Sequence, residues 1–296
     1  MDFHILCFGR TEFTRLTVDS ILRNAAPGTR IQLINNGWNE RIVPREILQV
    51  WRDFVDAYRQ AGKIHSVLEI ANPAAGGALN AFSALPSSQE PYHFITDNDC
   101  LVSPSADGKP FDTFAVELMD ANPGLWKLGA FLYRKISESY CRRYETEGLR
   151  LEDYLPIPWG GDDRFSVNDD GMQDYADYTA TKRETYQFDA RIWMIPTDTT
   201  LSIVRNPHRV SETKRLSPTV RGIEVLHIGY LEPYFISRTN EASTMEVMYY
   251  HFLRPRIMLQ FADDYRKRAV AYFDNLRKSG HGKLLQEFNR RYLRKG

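Results

Sequence analysis

Apolar positions in the first hundred residues alternate between two spacings. Unbroken runs rich in β-formers cover Phe3 to Phe8, Arg30 to Ile34, His65 to Ile70 and Tyr92 to Thr96. Gly, Asn or Asp residues follow most of them, and each reads as a strand, with Tyr92 to Thr96 as a buried parallel one. Between the strands the spacing becomes helical. Thr11-Glu12-Phe13-Thr14 is placed to cap a helix carrying Leu16 and Ile21. Apolar residues at 47, 48, 51, 54, 55 and 58 form a second stripe, ended by Gly62. Asn72 to Asn80, rich in small residues, opens a third helix through Leu85. This repeated alternation predicts an α/β fold: a mostly parallel, twisted sheet with helices on both faces.

The pattern loosens after residue 102. Phe111 to Asp120 reads as a helix, Leu128 to Tyr133 and Arg191 to Ile195 as strands, and Glu224 to Tyr230 as a short extended piece. Pro156 to Asp177 reads as a long loop of the kind that forms lids or binding loops. Helical spacing returns from Thr244: Tyr265, Ala269, Tyr272, Phe273 and Leu276 share one face, and Leu284, Leu285, Phe288 and Tyr292 another. The expected division is a domain over 1–243, with halves 1–102 and 103–243, followed by a helical extension over 244–296.

Composition adds limits. The 296 residues are 43% hydrophobic and 26% charged, with no apolar run approaching the roughly 18–20 residues of a membrane span. The first seven residues lack the charged-then-apolar layout of a signal peptide. Cys7, Cys100 and Cys141 are odd in number and widely spaced, which argues against a disulfide framework or a zinc site. The expected location is the cytoplasm. The net charge of zero hides an asymmetry: from Arg254 onward twelve Lys/Arg face four Asp/Glu, a net +8 that leaves −8 for the rest. Such a tail reads as a solvated helix face or as peripheral contact with an anionic membrane. No nucleic-acid motif accompanies it.

The chemistry concentrates where the fourth apolar run stops, at Asp97-Asn98-Asp99. A parallel strand over Tyr92 to Thr96 places these carboxylates at the carboxyl end of the sheet, where open α/β sheets bind ligands. Paired carboxylates suit a hard cation such as Mg²⁺ or Mn²⁺, which in turn holds diphosphates; a solvated acidic turn is the plain alternative.

Phe8-Gly9-Arg10, then Ile34-Asn35-Asn36-Gly37, then Gly76-Gly77-Ala78-Leu79-Asn80, then Thr96-Asp97-Asn98-Asp99 follow one another in an order that resembles the family 2-like glycosyltransferases of the GT-A fold, a relative of the Rossmann fold. The resemblance covers roughly residues 3–102 and returns at Thr197-Asp198-Thr199-Thr200 and near His227. It implies transfer of a sugar, with inversion, from a nucleotide-diphosphate donor to the hydroxyl of a saccharide or glycan acceptor, with Mn²⁺ or Mg²⁺ as cofactor. It also implies that Phe8, Gly9, Arg10, Asn35, Asn36, Gly77, Asn80 and Asp97 hold the nucleotide. Asp97, Asp99 and His227 would serve the metal, Asp99 as a direct ligand. Asp198 would take the proton of the acceptor hydroxyl. Many members have an acid where this chain has Asn35 or Asn36; an amide still offers a donor and an acceptor to a base edge.

Plainer readings stand beside these. Asn35-Asn36-Gly37 is a good turn. Asp198 could cap a helix over Thr199 to Val204, and Asp162 or Asp163, beside Trp159-Gly160-Gly161, could be the base instead. The run into Asp97-Asn98-Asp99 also imitates the signature of haloacid-dehalogenase-type phosphotransfer, with Asp97 as nucleophile and Asp99 as acid. A sugar- or nucleotide-binding module without catalysis is the third option.

Overall fold

The computed structural model of the chain describes residues 1–71, 85, 90–102, 105, 107–133, 184, 189–196, 201–206, 216–228, 240–257, 259, 262–278 and 280–293. Strand β1 (Asp2–Cys7) leads into helix α1 (Thr11–Asn24), followed by β2 (Arg30–Asn36), α2 (Arg45–Gln60), β3 (Ser66–Ile70), β4 (Tyr92–Asp97), β5 (Cys100–Val102), α3 (Phe111–Ala121) and β6 (Lys127–Tyr133). Strands β7 (Ile192–Pro196), β8 (Ser202–Arg205) and β9 (Leu216–His227) come next. Helices α4 (Glu241–Ile257), α5 (Ala262–Lys278) and α6 (Gly282–Phe288) and a π-helical turn over Asn289–Leu293 close the chain.

One nine-stranded sheet runs β3-β2-β1-β4-β8-β6-β9-β5, with β7 paired to β9. The first four strands are parallel, as their apolar runs predict. Beyond β4 the sheet is mixed: β8 is antiparallel to both β4 and β6, while β6 is parallel to β9. Residues 202–205 form a strand, so a helix opened by Asp198 is excluded there. The extended piece near His227 is the end of a twelve-residue strand.

Period-two alternation divides the inner strands between two faces. Phe3, Ile5, Cys7, Leu33 and Phe94 join the large core with Phe13, Leu16 and Ile21 of α1, Trp51 and Phe54 of α2 and Phe111 of α3. Leu6, Ile34, Ile95 and Val204 form a smaller cluster with Leu68, Ile70 and Leu85. The helix expected from Asn80 to Leu85 lies outside the described residues, apart from Leu85 itself. The C-terminal helices share the large core through Met245, Met248, Tyr250, Tyr272, Leu276, Leu285 and Phe288. Several tail cations pair locally: Arg266 with Asp263, Arg277 with Asp274, and Arg290 and Arg291 with Glu287. Among the described residues no helix is long and apolar enough to cross a membrane. Cys7 and Cys100 are buried free thiols, and burial pushes both thiol pKa values up, away from the reactive thiolate.

Strand β5 stands at the end of the sheet, and α1 satisfies its outer edge. The Cys100 amide donates to Thr17 Oγ1 (3.1 Å) and the Val102 amide to Ser20 Oγ (3.2 Å), while Asn24 Nδ2 donates to the Val102 carbonyl (2.7 Å). One turn earlier, Asn98 Nδ2 donates to Thr14 Oγ1 (2.9 Å). Hydroxyls three residues apart on the helix thus meet alternate residues of the extended chain, covering an edge that would otherwise invite pairing. The consequence for the site is that the Asp97-Asn98-Asp99 turn is tied to α1 at its central residue and just beyond its end.

Candidate functional site

The strand order reverses between β1 and β4: β2 and β3 lie on one side of β1, β4 on the other. In open α/β sheets the crevice at the carboxyl ends of such strands is the ligand site. Here the segment after β1 is Phe8-Gly9-Arg10 and the segment after β4 is Asn98-Asp99. The structure joins them directly. Asn98 Nδ2 donates to the Gly9 carbonyl (3.0 Å), Arg10 Nη2 donates to Asn98 Oδ1 (3.2 Å), and the same nitrogen forms an ion pair with Asp99 Oδ2 at 2.9 Å.

The backbone that delivers Arg10 is unusual. Gly9 (φ 61°) and Arg10 (φ 57°) are both left-handed, and Arg10 is the one non-glycine residue with positive φ among the described residues. A non-glycine residue there costs about 1–2 kcal/mol and persists only where surroundings hold it. The hold is visible: Arg10 is 8% exposed, its guanidinium lies 4.8 Å from the Tyr250 ring centre and 5.4 Å from that of Phe13, and its carbonyl accepts the first amides of α1. Gly9 has a second constraint, since a Cβ there would lie 3.0 Å from the fully buried Trp38 ring. Gly9→Ala is therefore expected to cost about 2 kcal/mol, the left-handed penalty with partial relief of the contact. Urea unfolding measures it, and a loss below about 0.5 kcal/mol would mean that neither the left-handed backbone nor the Trp38 contact constrains position 9.

Asp97 and Asp99 differ sharply. Asp97 closes β4 opposite Leu6 and is partly exposed, whereas Asp99 is 3% exposed behind Arg10. His227 reaches the same place through its backbone: it is the cross-strand partner of Cys100, and the Asp99 carbonyl accepts the Ile228 amide at 2.7 Å. The backbone of β9 therefore runs beside the Asp99 end of the turn, and among the described residues no three His, Cys, Asp or Glu side chains converge as a metal cluster. Oxygen donors from two carboxylates suit a hard cation. Arg10 already neutralises one of them, so the pair fits an ion whose charge adds to that of the guanidinium. Asp97, and Asp99 beside it, would hold such an ion.

The other candidates separate. Phe8 packs its ring edge-on to Trp38 (5.2 Å) and tilted to Tyr250 (6.2 Å). Asn35 is committed to a turn: its Oδ1 accepts the Trp38 amide, and its Nδ2 donates to the Trp38 carbonyl (3.0 Å) and to Glu69 Oε2 (2.7 Å). Asn36 is buried beside it. Gly77, Asn80, Asp162, Asp163 and Asp198 lie outside the described residues.

Helix α4 supplies what the sequence reading missed. Glu246, Tyr250 and Arg254 stand four residues apart on one face. Glu246, fully buried, caps α1 from 235 residues away: it accepts the Thr11 amide (2.9 Å) and the Thr11 hydroxyl (2.6 Å). Burial pushes its carboxyl pKa up to about 7, against the opposing hydrogen bonds from Thr11 and the nearby Arg10 charge. A glutamate inside the buried run Met245-Glu246-Val247-Met248 was the available signal.

No family model matches the chain, and no curated protein matches it. Among solved structures, S. aureus TarS 1-349 matches at 13% identity with a TM-score of 0.32, over 48% of this chain and 39% of that one. The same protein in complex with UDP gives 14% and 0.31 over 48% and 40%. GalNAc-T7 with UDP, GalNAc and Mn²⁺ gives 11% identity and a TM-score of 0.44, over 82% of this chain and 51% of that one. The chain spans about half or less of the length of each. Likenesses at these identities and TM-scores decide neither family nor activity.

Proposed function

We propose that the chain is a metal-dependent glycosyltransferase of GT-A type, moving a sugar from a nucleotide-diphosphate donor to a hydroxyl acceptor. The observation that carries this reading is the joining of the β1 and β4 ends at the strand-order reversal, with Asp97 partly exposed and Arg10 bound to Asp99. That crevice offers carboxylates for a hard cation beside a buried guanidinium, and a departing diphosphate calls for both kinds of charge. A divalent ion there would stabilise negative charge on the leaving diphosphate.

In this reading Asp97, Asp99 and His227 serve the metal. Phe8, Gly9, Arg10, Asn36, Gly77 and Asn80 line the nucleotide site, with Asn35 shaping its wall through the turn to Trp38. Asp198 is the base that takes the acceptor proton, and the saccharide acceptor approaches from its side. Arg10 holds Asp99 in one orientation before the donor arrives, and α1 ties down the acidic turn at Asn98 and Cys100. Preorganised charge of this kind costs no rearrangement at the moment of reaction.

A thermal-shift series with uridine, guanosine and adenosine diphosphates, with and without Mn²⁺, tests the proposal. At 100 times the dissociation constant, a ligand specific for the folded state adds about 2.7 kcal/mol, or roughly 5–10 °C for a chain of this size. The expected result is a rise with one of these nucleotides that requires Mn²⁺. The absence of a rise with all three would sink the reading.

A further inference from the structure

The face of α4 that carries Glu246 also places a second cation at the site. Arg254 lies over the Tyr250 ring at 5.1 Å from its centre, and Arg10 lies over the same ring at 4.8 Å. The two guanidinium centres are therefore no farther apart than those two distances together. Arg254 donates to the hydroxyls of Tyr250 and Tyr265, the latter at 2.8 Å, and stacks on the Tyr265 ring at 4.4 Å. Its described partners are thus phenols, with no carboxylate among them. A partly buried guanidinium is usually answered by an acid, because a charge removed from water needs a countercharge. Among the described residues, aromatic faces and phenol oxygens answer it instead.

The charges around it sharpen the point. Arg10 is matched by Asp99. Glu246, the acid on the same face of α4, has its pKa raised to about 7, which weakens it as a countercharge near neutral pH. Arg254 thus carries a positive charge with no acid partner among the described residues, on the same ring as Arg10 at the end of β1. Fork-shaped guanidinium donors suit phosphate oxygens.

We propose that Arg254 is a binding residue for the diphosphate of the donor, so that α4 completes with Arg10 a two-arginine anion site fed from both ends of the chain. The proposal rests on the nucleotide-diphosphate reading above and adds to it the residue and the helix that hold the phosphates. Tyr250 is the spacer: it keeps the two cations on one ring, at a separation a diphosphate can bridge.

The test titrates the full chain with uridine, guanosine and adenosine diphosphates and with inorganic pyrophosphate, each in Mn²⁺, by calorimetry. Arg254→Met removes the charge while keeping an apolar stem, and Arg254→Gln keeps an amide to donate to the phenols should the methionine variant fail to fold. Loss of a charge-assisted hydrogen bond is expected to weaken binding of the preferred diphosphate roughly 10–100-fold. Arg254→Lys, which retains charge without the fork, should fall between the variants and the parent. Unchanged affinity in a folded charge-removing variant, with the parent binding normally, overturns the role of Arg254 and leaves the functional reading standing. A parent that binds none of the four probes overturns the functional reading and this inference with it.

Discussion

An Asp97→Asn variant is expected to melt within about 1 °C of the parent and to lose Mn²⁺-dependent nucleotide-diphosphate binding at least about 100-fold, the scale of losing a group that stabilises charge in a site. Asp97 is partly exposed at the end of β4, so exchanging one oxygen for an amide leaves the core alone. Asp99→Asn should lose that binding too, and should lose stability with it. Its carboxylate is 3% exposed and carries the ion pair to Arg10. Removing one partner of a buried pair costs about 3–5 kcal/mol, and the retained amide places this substitution near the lower end. Both acids serve the metal in this reading, and they separate in what else they do: Asp97 is partly exposed at the strand end, whereas Asp99 also carries the buried pair with Arg10. Urea unfolding and calorimetric titration of both variants read the two effects independently. A large loss of stability in Asp97→Asn, or parent-like stability in Asp99→Asn, would reverse the assignment.

The parallel half of the sheet was legible because its strands are short runs rich in apolar β-formers, each closed by turn-forming or helix-starting residues; β4 is the most buried and β3 the least. The runs at Phe3, Arg30, His65 and Tyr92 became β1 to β4, with ends shifted by a residue or two. Strand β9 was not legible at its true length. Pro218 and Arg221-Gly222 interrupt its pattern, and it divides its pairing among β5, β6 and β7 with a register shift at Ala130/Phe131. Strand β8 is four residues long and follows a Thr-rich stretch, which imitates a cap and helix start.

The site divides in the same way. Asp97 and Asp99 stood out because they break an apolar run. The contacts that give them different roles come from Arg10, 89 residues earlier, and from α4, more than 140 residues later, and no local spacing reveals either. The stripe Thr14, Thr17, Ser20 and Asn24 was present in the sequence as polar residues on a helix that otherwise buries Phe13, Leu16 and Ile21. Without the strand it grips, that stripe reads as an ordinary mixed face.

The contact between α4 and α1 carries a pH dependence of known sign. Burial raises the folded-state pKa of Glu246 to about 7, above the ordinary glutamate value of 4.5. The folded protein therefore binds this proton more tightly than the unfolded chain, and stability falls as the pH rises between those values. Its contribution is fully present below about pH 4.5 and lost as the pH passes 7. A shift of this size corresponds to about 3 kcal/mol. The charged neighbours that face it act in opposite directions: Arg10 lowers its pKa and Glu12 raises it. Glu246→Gln removes the titration while preserving the cap, since the amide oxygen still accepts the Thr11 amide and the amide nitrogen donates to the Thr11 hydroxyl. Urea unfolding of parent and variant at pH 5 and pH 8 cancels every other titrating group in the difference. The variant should gain on the parent by about 2.5 kcal/mol over that interval, the rest of the shift being lost below pH 5. Parallel stability changes in the two proteins would mean that Glu246 ionises in the folded state as readily as in water, and that the buried cap is charged at both pH values.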